Sequence, residues 1–145
     1  MEENTNEKYL VFALGDKQYA LPSKIISEVA AVEKVFPLPL VPDYVCGIIN
    51  RYSIPYALVD INILFFKTAS AARKVIVLKQ EIDRLGFIID DVTDIADIPP
   101  EQLMKTELDE DGATASVTAF FEWKGNHVFC LDTQELLSRI KHDFE

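Results

Sequence analysis

From Tyr9 onward, short runs of β-branched, aliphatic and aromatic residues alternate with turn-forming residues, and no long stretch keeps the 3.6-residue period of a helix until the carboxyl end. Tyr9 to Leu14 stops at Gly15-Asp16 and returns as Lys17 to Leu21, which predicts a tight hairpin over residues 14–18 with Gly15 at positive φ. Pro22-Ser23 ends this ladder. Ser23 is placed to cap a short helical turn through Ile25 and Ile26, with the Glu28 carboxylate left in solvent. Val35 to Pro42 contains Pro37, Pro39 and Pro42, which excludes a helix or a central strand. It predicts an ordered, extended loop whose Phe36, Leu38, Leu40 and Val41 need cover from water.

Further strands are predicted at Val45 to Ile49, Ile54 to Val59 and Lys74 to Leu78, with Lys67 to Ala72 as an exposed connection. Leu85 to Ile89 then passes through the acidic doublet Asp90-Asp91 into Val92 to Ile98, and Pro99-Pro100-Glu101 opens one short turn. Glu107 to Gly112 reads as a mobile loop. Ser116 to Trp123 and His127 to Leu131 form a hairpin around Lys124-Gly125-Asn126. Asp132 or Thr133 caps a last helix with Leu136, Leu137 and Ile140 on its apolar stripe. Roughly ten strands joined by turns predict a barrel or sandwich.

Composition narrows the function more than the fold. A chain of 145 residues with 49% apolar content predicts a flexible tail at 1–7 and a single domain over 8–145. A formal charge of −10, without a cluster of basic residues, disfavours nucleic acid and anionic membrane surfaces. No apolar run reaches the roughly 18 residues of a spanning helix, so direct membrane insertion is not expected. The acidic, polar start MEENTNEKY lacks the features of a secretory signal and predicts a cytoplasmic location. Cys46 and Cys130 lie far apart inside apolar segments and read as buried free thiols.

Each candidate for chemistry has a simpler structural reading. Asp90 and Asp91 as an acid/base pair or metal site must converge, and adjacent strand residues point to opposite faces. His127 beside a hairpin and His142 near a helix end have no ligand-spaced partner. Cys130 sits in Val128-Phe129-Cys130-Leu131, a poor setting for a reactive thiolate. No catalytic, cofactor-binding or metal-binding residue is assigned.

Five segments, in order, resemble the CheW-like adaptors of bacterial chemotaxis arrays: LVFALGDKQYALP at 10–22, VPDYVCGIIN at 41–50, VDI at 59–61, LGFIIDDVTDIADIPPEQL at 85–103 and GNHVFCLDTQELL at 125–137. The resemblance spans residues 8–140. It implies a mostly β fold of two small five-stranded barrels sharing a core, with short helical turns and a C-terminal helix. It further implies no catalysis and no cofactor, and a role joining a CheA-type histidine kinase to the cytoplasmic tip of a chemoreceptor. In the family the receptor helix lies in an apolar groove between the barrels, and the matching positions are Ile26, Glu28, Tyr52, Val75, Val92 and Ile95.

The chain departs from this pattern at residues 47–61. Family members commonly read Asn-Leu-Arg-Gly, followed by a proline three residues before the aspartate. Here the order is Asn50-Arg51-Tyr52-Ser53, with Ala57 in the proline's place. Arg51 is displaced by one position, which sends a strand side chain to the other face unless a bulge restores it. The alternative is therefore a divergent CheW-like scaffold in a non-chemotaxis signalling array, with an altered receptor surface.

Overall fold

The computed structural model describes residues 6–31, 34–69, 74–105 and 116–144. The expected mobile loop at 107–112 and most of the 1–7 tail lie outside them, as do residues 70–72 of the predicted connection. Glu7 already belongs to the first strand, so the ordered ladder begins within the expected tail.

Two sheets form. The first contains β1 (Glu7–Leu14), β2 (Lys17–Pro22), β8 (Asp91–Ile98), β9 (Met104–Lys105), β10 (Val117–Trp123) and β11 (Asn126–Leu131), in the order β8-β1-β2-β11-β10-β9. The second contains β3 (Ile26–Ala31), β4 (Val45–Arg51), β5 (Ile54–Asp60), β6 (Lys74–Leu78) and β7 (Leu85–Ile89), in the order β3-β6-β7-β5-β4. Each curls into a barrel-like subdomain. The sixth strand of the first sheet is the two-residue β9, too short to leave a pattern in the sequence.

The hairpins follow turn chemistry. Gly15 at φ 64 joins β1 to β2 through a two-residue loop, and Lys124 and Gly125 at φ 49 and 83 join β10 to β11. Asn126 is the first residue of β11 rather than part of the turn. Ser23 does not cap; it is the first residue of a 3₁₀ turn, Ser23–Ile25, whose cap position holds Pro22. The backbone then extends into β3 from Ile26, because the free edge of β6 offers ladder hydrogen bonds that an isolated helical turn lacks. A helix absent from the sequence expectations, α1 (Ile61–Phe66), follows β5. The sequence predicts no element over its β-branched and aromatic residues, which are weak helix formers; the buried Asp60 carboxylate accepts hydrogen bonds from Asn62 and Ile63 and caps it.

Three apolar clusters fill the molecule. Tyr9, Val11, Ala96, Phe121 and Val128 line the first barrel, and Ile49, Leu58, Val75, Val77 and Ile88 line the second. The largest cluster lies between them and includes Leu10, Phe12, Ile76, Leu78, Phe87 and Ile89. The last helix, α2 (Thr133–Phe144), covers this shared core with Leu136 and Ile140. Asp132 is its cap, accepting from the Glu135 amide. Of the loop residues expected to need cover, Val41 packs on the shared core, whereas Leu40 is fully exposed at φ 58 and Phe36 is partly exposed.

Contacts outside the strand ladders fasten each barrel. In the second, Phe36 and Ile48 exchange backbone hydrogen bonds of 2.8 and 2.7 Å across the free edge of β4. In the first, Asp94 on β8 accepts from Trp123 Nε1 at 2.8 Å and pairs with Lys124 Nζ at 2.7 Å. These contacts hold the Asp94 carboxyl down at about 2, below the usual 3.8, with the Lys124 hydrogen bond the main cause and that of Trp123 second. The depressed value means a stabilising contribution that is complete above pH 3.8 and is lost as the pH falls towards 2. Asp94→Asn is expected to melt below the natural protein at neutral pH, with the gap closing across that acid window. A gap unchanged down to pH 2 excludes the carboxylate as the fastening group.

The cysteines occupy separate barrels. Both are free; Cys130 is buried in the first, where burial pushes its thiol up to about 12, and Cys46 is half-buried against the second.

Candidate protein-binding groove

The edge strands β3 and β8 flank the junction of the two barrels; among the described residues β3 pairs only with β6 and β8 only with β1. Residues directly opposite in an antiparallel ladder share a face, so register fixes which side chains look into that junction. Ile26 and Val29 stand opposite Leu78 and Ile76; Val92 and Ile95 stand opposite Phe12 and Leu10. All four partners belong to the shared core. Ile26 and Val92 pack partly against it, while Val29 and Ile95 remain 40% and 60% exposed.

Two ion pairs bind the barrels at opposite ends of this arrangement. Lys24, just before β3, reaches Glu7 at 3.3 Å, and Glu7 pairs with Ile98 at the end of β8. Lys74, opposite Ala31 at the end of β3, reaches Asp91 at the start of β8 at 2.7 Å. The start of each strand is thus tied near the end of the other. β3 and β8 therefore run in opposite directions, and the strip between them, bounded by the exposed Val29 and Ile95, is the candidate groove. Asp91 is held below the usual carboxylate range, chiefly by its hydrogen bond from Lys74.

The family matches these strands. A description of the CheW-like domain covers residues 8–141. The chain belongs to the family of CheW-like domains. It is 23% identical over 140 residues to the chemotaxis protein CheW of Klebsiella aerogenes, spanning 94% of this chain and 84% of that one. It is 24% identical over 106 residues to the chemotaxis protein CheW of Bacillus subtilis, spanning 70% and 67% of the two chains. The crystal structure of the scaffolding protein TtCheW from Thermoanaerobacter tengcongensis superposes with a TM-score of 0.78 at 19% identity, covering 90% of this chain and 86% of that one.

Within this CheW-like framework the six residues singled out in the sequence separate into three places. Ile26, Val92 and Ile95 gather at the groove. Glu28 does not, because a bulge between Ile26 and Glu28 switches faces: Glu28 stands opposite Val77, a residue of the second barrel's interior. Rather than lying free in solvent, its half-buried carboxylate pairs with Arg51, and Tyr52 Oη donates to it at 3.2 Å. Since Glu28 and Arg51 belong to the two outer strands of the sheet, this pair also fastens the second barrel. Val75 is 1% exposed within that barrel, so it supports the surface and does not form it. Val29 is the groove residue that sequence reasoning missed. Its apolar character was visible, but the bulge that turns it inward is set by pairing with β6.

The displaced Arg51 is not restored by a bulge. Pairing runs unbroken from Gly47 to Arg51 opposite Leu58 to Ile54, which sends Arg51 to the mouth of the second barrel. Tyr52 and Ser53 form the hairpin tip at φ 54 and 65, where the turn favours Asn-Gly, and Tyr52 is 81% exposed. A bulky residue at positive φ carries strain on the order of 1 kcal/mol or more. Replacing Tyr52-Ser53 by Asn-Gly is expected to raise stability by about 1 kcal/mol in urea denaturation, with an unchanged denaturant slope. No gain would mean that the Tyr52 contacts with Glu28 and Arg51 already offset the strain.

Among the described residues no three His, Cys, Asp or Glu side chains come together in a way that holds a metal ion. Asp90 and Asp91 turn to opposite sides: Asp91 meets Lys74, and Asp90 accepts from the Gly15 amide and from Asn62 Nδ2. Among the described residues, no helix is long and apolar enough to cross a membrane.

Proposed function

We propose that this CheW-like chain is a non-catalytic adaptor that couples chemoreceptors to a CheA-type histidine kinase in bacterial chemotaxis, working in the cytoplasm. The observation that carries this reading is the exposure of Val29 and Ile95 on the edge strands β3 and β8, whose ends two ion pairs tie together. An amphipathic helix from a receptor tip supplies the apolar stripe such a groove requires. The kinase occupies a second surface, and two partners held on one rigid scaffold bias one another through their fixed geometry. A binding titration tests it, first against the isolated regulatory domain of the CheA-type kinase from the same organism, then against its receptor tips. Binding to both is expected; binding to neither removes the coupling role.

A second reading, a divergent scaffold in a different signalling array, draws on a specific observation. Arg51 is engaged with Glu28, and an exposed tyrosine occupies the position where the family commonly carries arginine. Tyr52→Arg separates the two readings. Stronger receptor binding marks a chain that has drifted from that partner; weaker binding makes the tyrosine the native contact.

A further inference from the structure

The acidic doublet marks a second concave surface. While Asp91 closes one end of the groove, the Asp90 carboxylate turns the other way and accepts at 2.6 Å from the Gly15 amide and at 2.8 Å from Asn62 Nδ2. Gly15 lies in a turn of the first sheet and Asn62 in the helix that follows β5, so this bridge fixes two subdomains together. Beside it lies a cleft of about 310 Å³ whose apolar wall is Leu14, Phe66 and Ala69, with Asp16, Lys17 and Thr68 supplying polar groups. Phe66 is 39% exposed, which leaves much of its ring available within a concavity.

Three properties specify an occupant. The volume is at the lower end of the roughly 300–1,000 Å³ typical of ligand pockets and suits a large side chain with part of its neighbour. The Leu14, Phe66 and Ala69 wall favours an apolar body. The carboxylates of Asp16 and Asp90 outnumber the single ammonium of Lys17, on a chain of net charge −10, so the field favours a cation beside that body. The hydrogen-bonded bridge holds the walls in place before binding, which lowers the entropy cost of capture. We propose that this cleft is a docking site for a segment of a partner protein in which a bulky apolar side chain adjoins a lysine or arginine. The site is separate from the groove and stands whether or not the groove takes a receptor helix.

The test is a nuclear magnetic resonance titration of the ¹⁵N-labelled full chain with N-acetyl-Trp-Arg-amide, with N-acetyl-Trp-Glu-amide and N-acetyl-Gly-Arg-amide as comparisons. Saturable shifts are expected at the Gly15, Asp16 and Phe66 amides and the Asn62 side-chain amide, with both comparison peptides binding at least fivefold more weakly. Phe66→Ser should abolish the response while the remaining cross-peaks stay in place. Asp16→Lys, at an exposed turn, gives an independent check: reversing the local charge should reverse the preference between the Trp-Arg and Trp-Glu peptides. Absent or scattered shifts overturn the assignment, as does equal response to the two tryptophan peptides. So does a charge reversal without effect.

Discussion

Replacing Gly47 by alanine is expected to cost about 3 kcal/mol or more, although it adds only one methyl group. Gly47 lies at φ 143, next to a bulge in β4, where the Phe36 segment crosses to pair with Ile48. A Cβ there falls inside contact distance of the Phe36 carbonyl oxygen and carbon and of a Val35 methyl. Relief requires moving backbone, which breaks the two hydrogen bonds that close the second barrel. Gly15 provides the control, since it also has positive φ, at 64, but nothing within 4 Å of the added carbon. Its alanine variant should lose only about 1 kcal/mol. Urea denaturation of both variants measures the difference, and equal losses would show that backbone conformation, not the close approach, makes glycine necessary at Gly47.

Placing aspartate at Val29 or Ile95 is expected to weaken binding of a receptor-tip fragment about tenfold in each single variant, and on the order of a hundredfold in the double variant. Each substitution removes an aliphatic contact worth about 1.5–3 kcal/mol on full burial and puts a carboxylate into a surface that must dry on docking. Both side chains are already substantially exposed, so fold stability should change by no more than about 0.5 kcal/mol. Binding to the kinase regulatory domain should not change. Calorimetric titration of both ligands separates the outcomes: retained receptor affinity in the double variant rules out the groove, and loss of both affinities points to damage beyond it. Val75→Asp is no substitute for this experiment, because it places a charge in the interior of the second barrel.

Alternation and turn chemistry made most of the strands readable. Gly15-Asp16 and Lys124-Gly125 mark their hairpins by the conformations their residues accept, and the alternation in β8 survives because only one of its faces is buried. The all-buried β7 was legible for the opposite reason, as a short continuous apolar run ended by the acidic doublet. The failures share a cause. The predicted turn through Ile25 and Ile26 gives way to β3 at a sheet edge, and the helix Ile61–Phe66, where the sequence predicts no element, depends on the buried Asp60 carboxylate that caps it.

The candidate site was legible in its residues but not in its grouping. Ile26, Val92 and Ile95 reach one groove, yet Glu28 and Tyr52 belong to a fastening contact and Val75 to an interior. A single bulge at Ser27 separates Ile26 from Glu28 and turns Val29 towards the groove. With side chains alternating every second residue, an extra residue exchanges the two faces of everything beyond it.

By itself the sequence determined the mostly β character, the hairpin positions, the apolar strands and the family, because these rest on local conformational preference and on the order of short motifs. Only the tertiary structure decided which faces meet, that Glu28 and Arg51 fasten a barrel, and that Val29 and Ile95 stand exposed on the edge strands β3 and β8. Those outcomes depend on register and on the approach of strands distant in the chain, which are set by packing in three dimensions and not by the preferences of neighbouring residues.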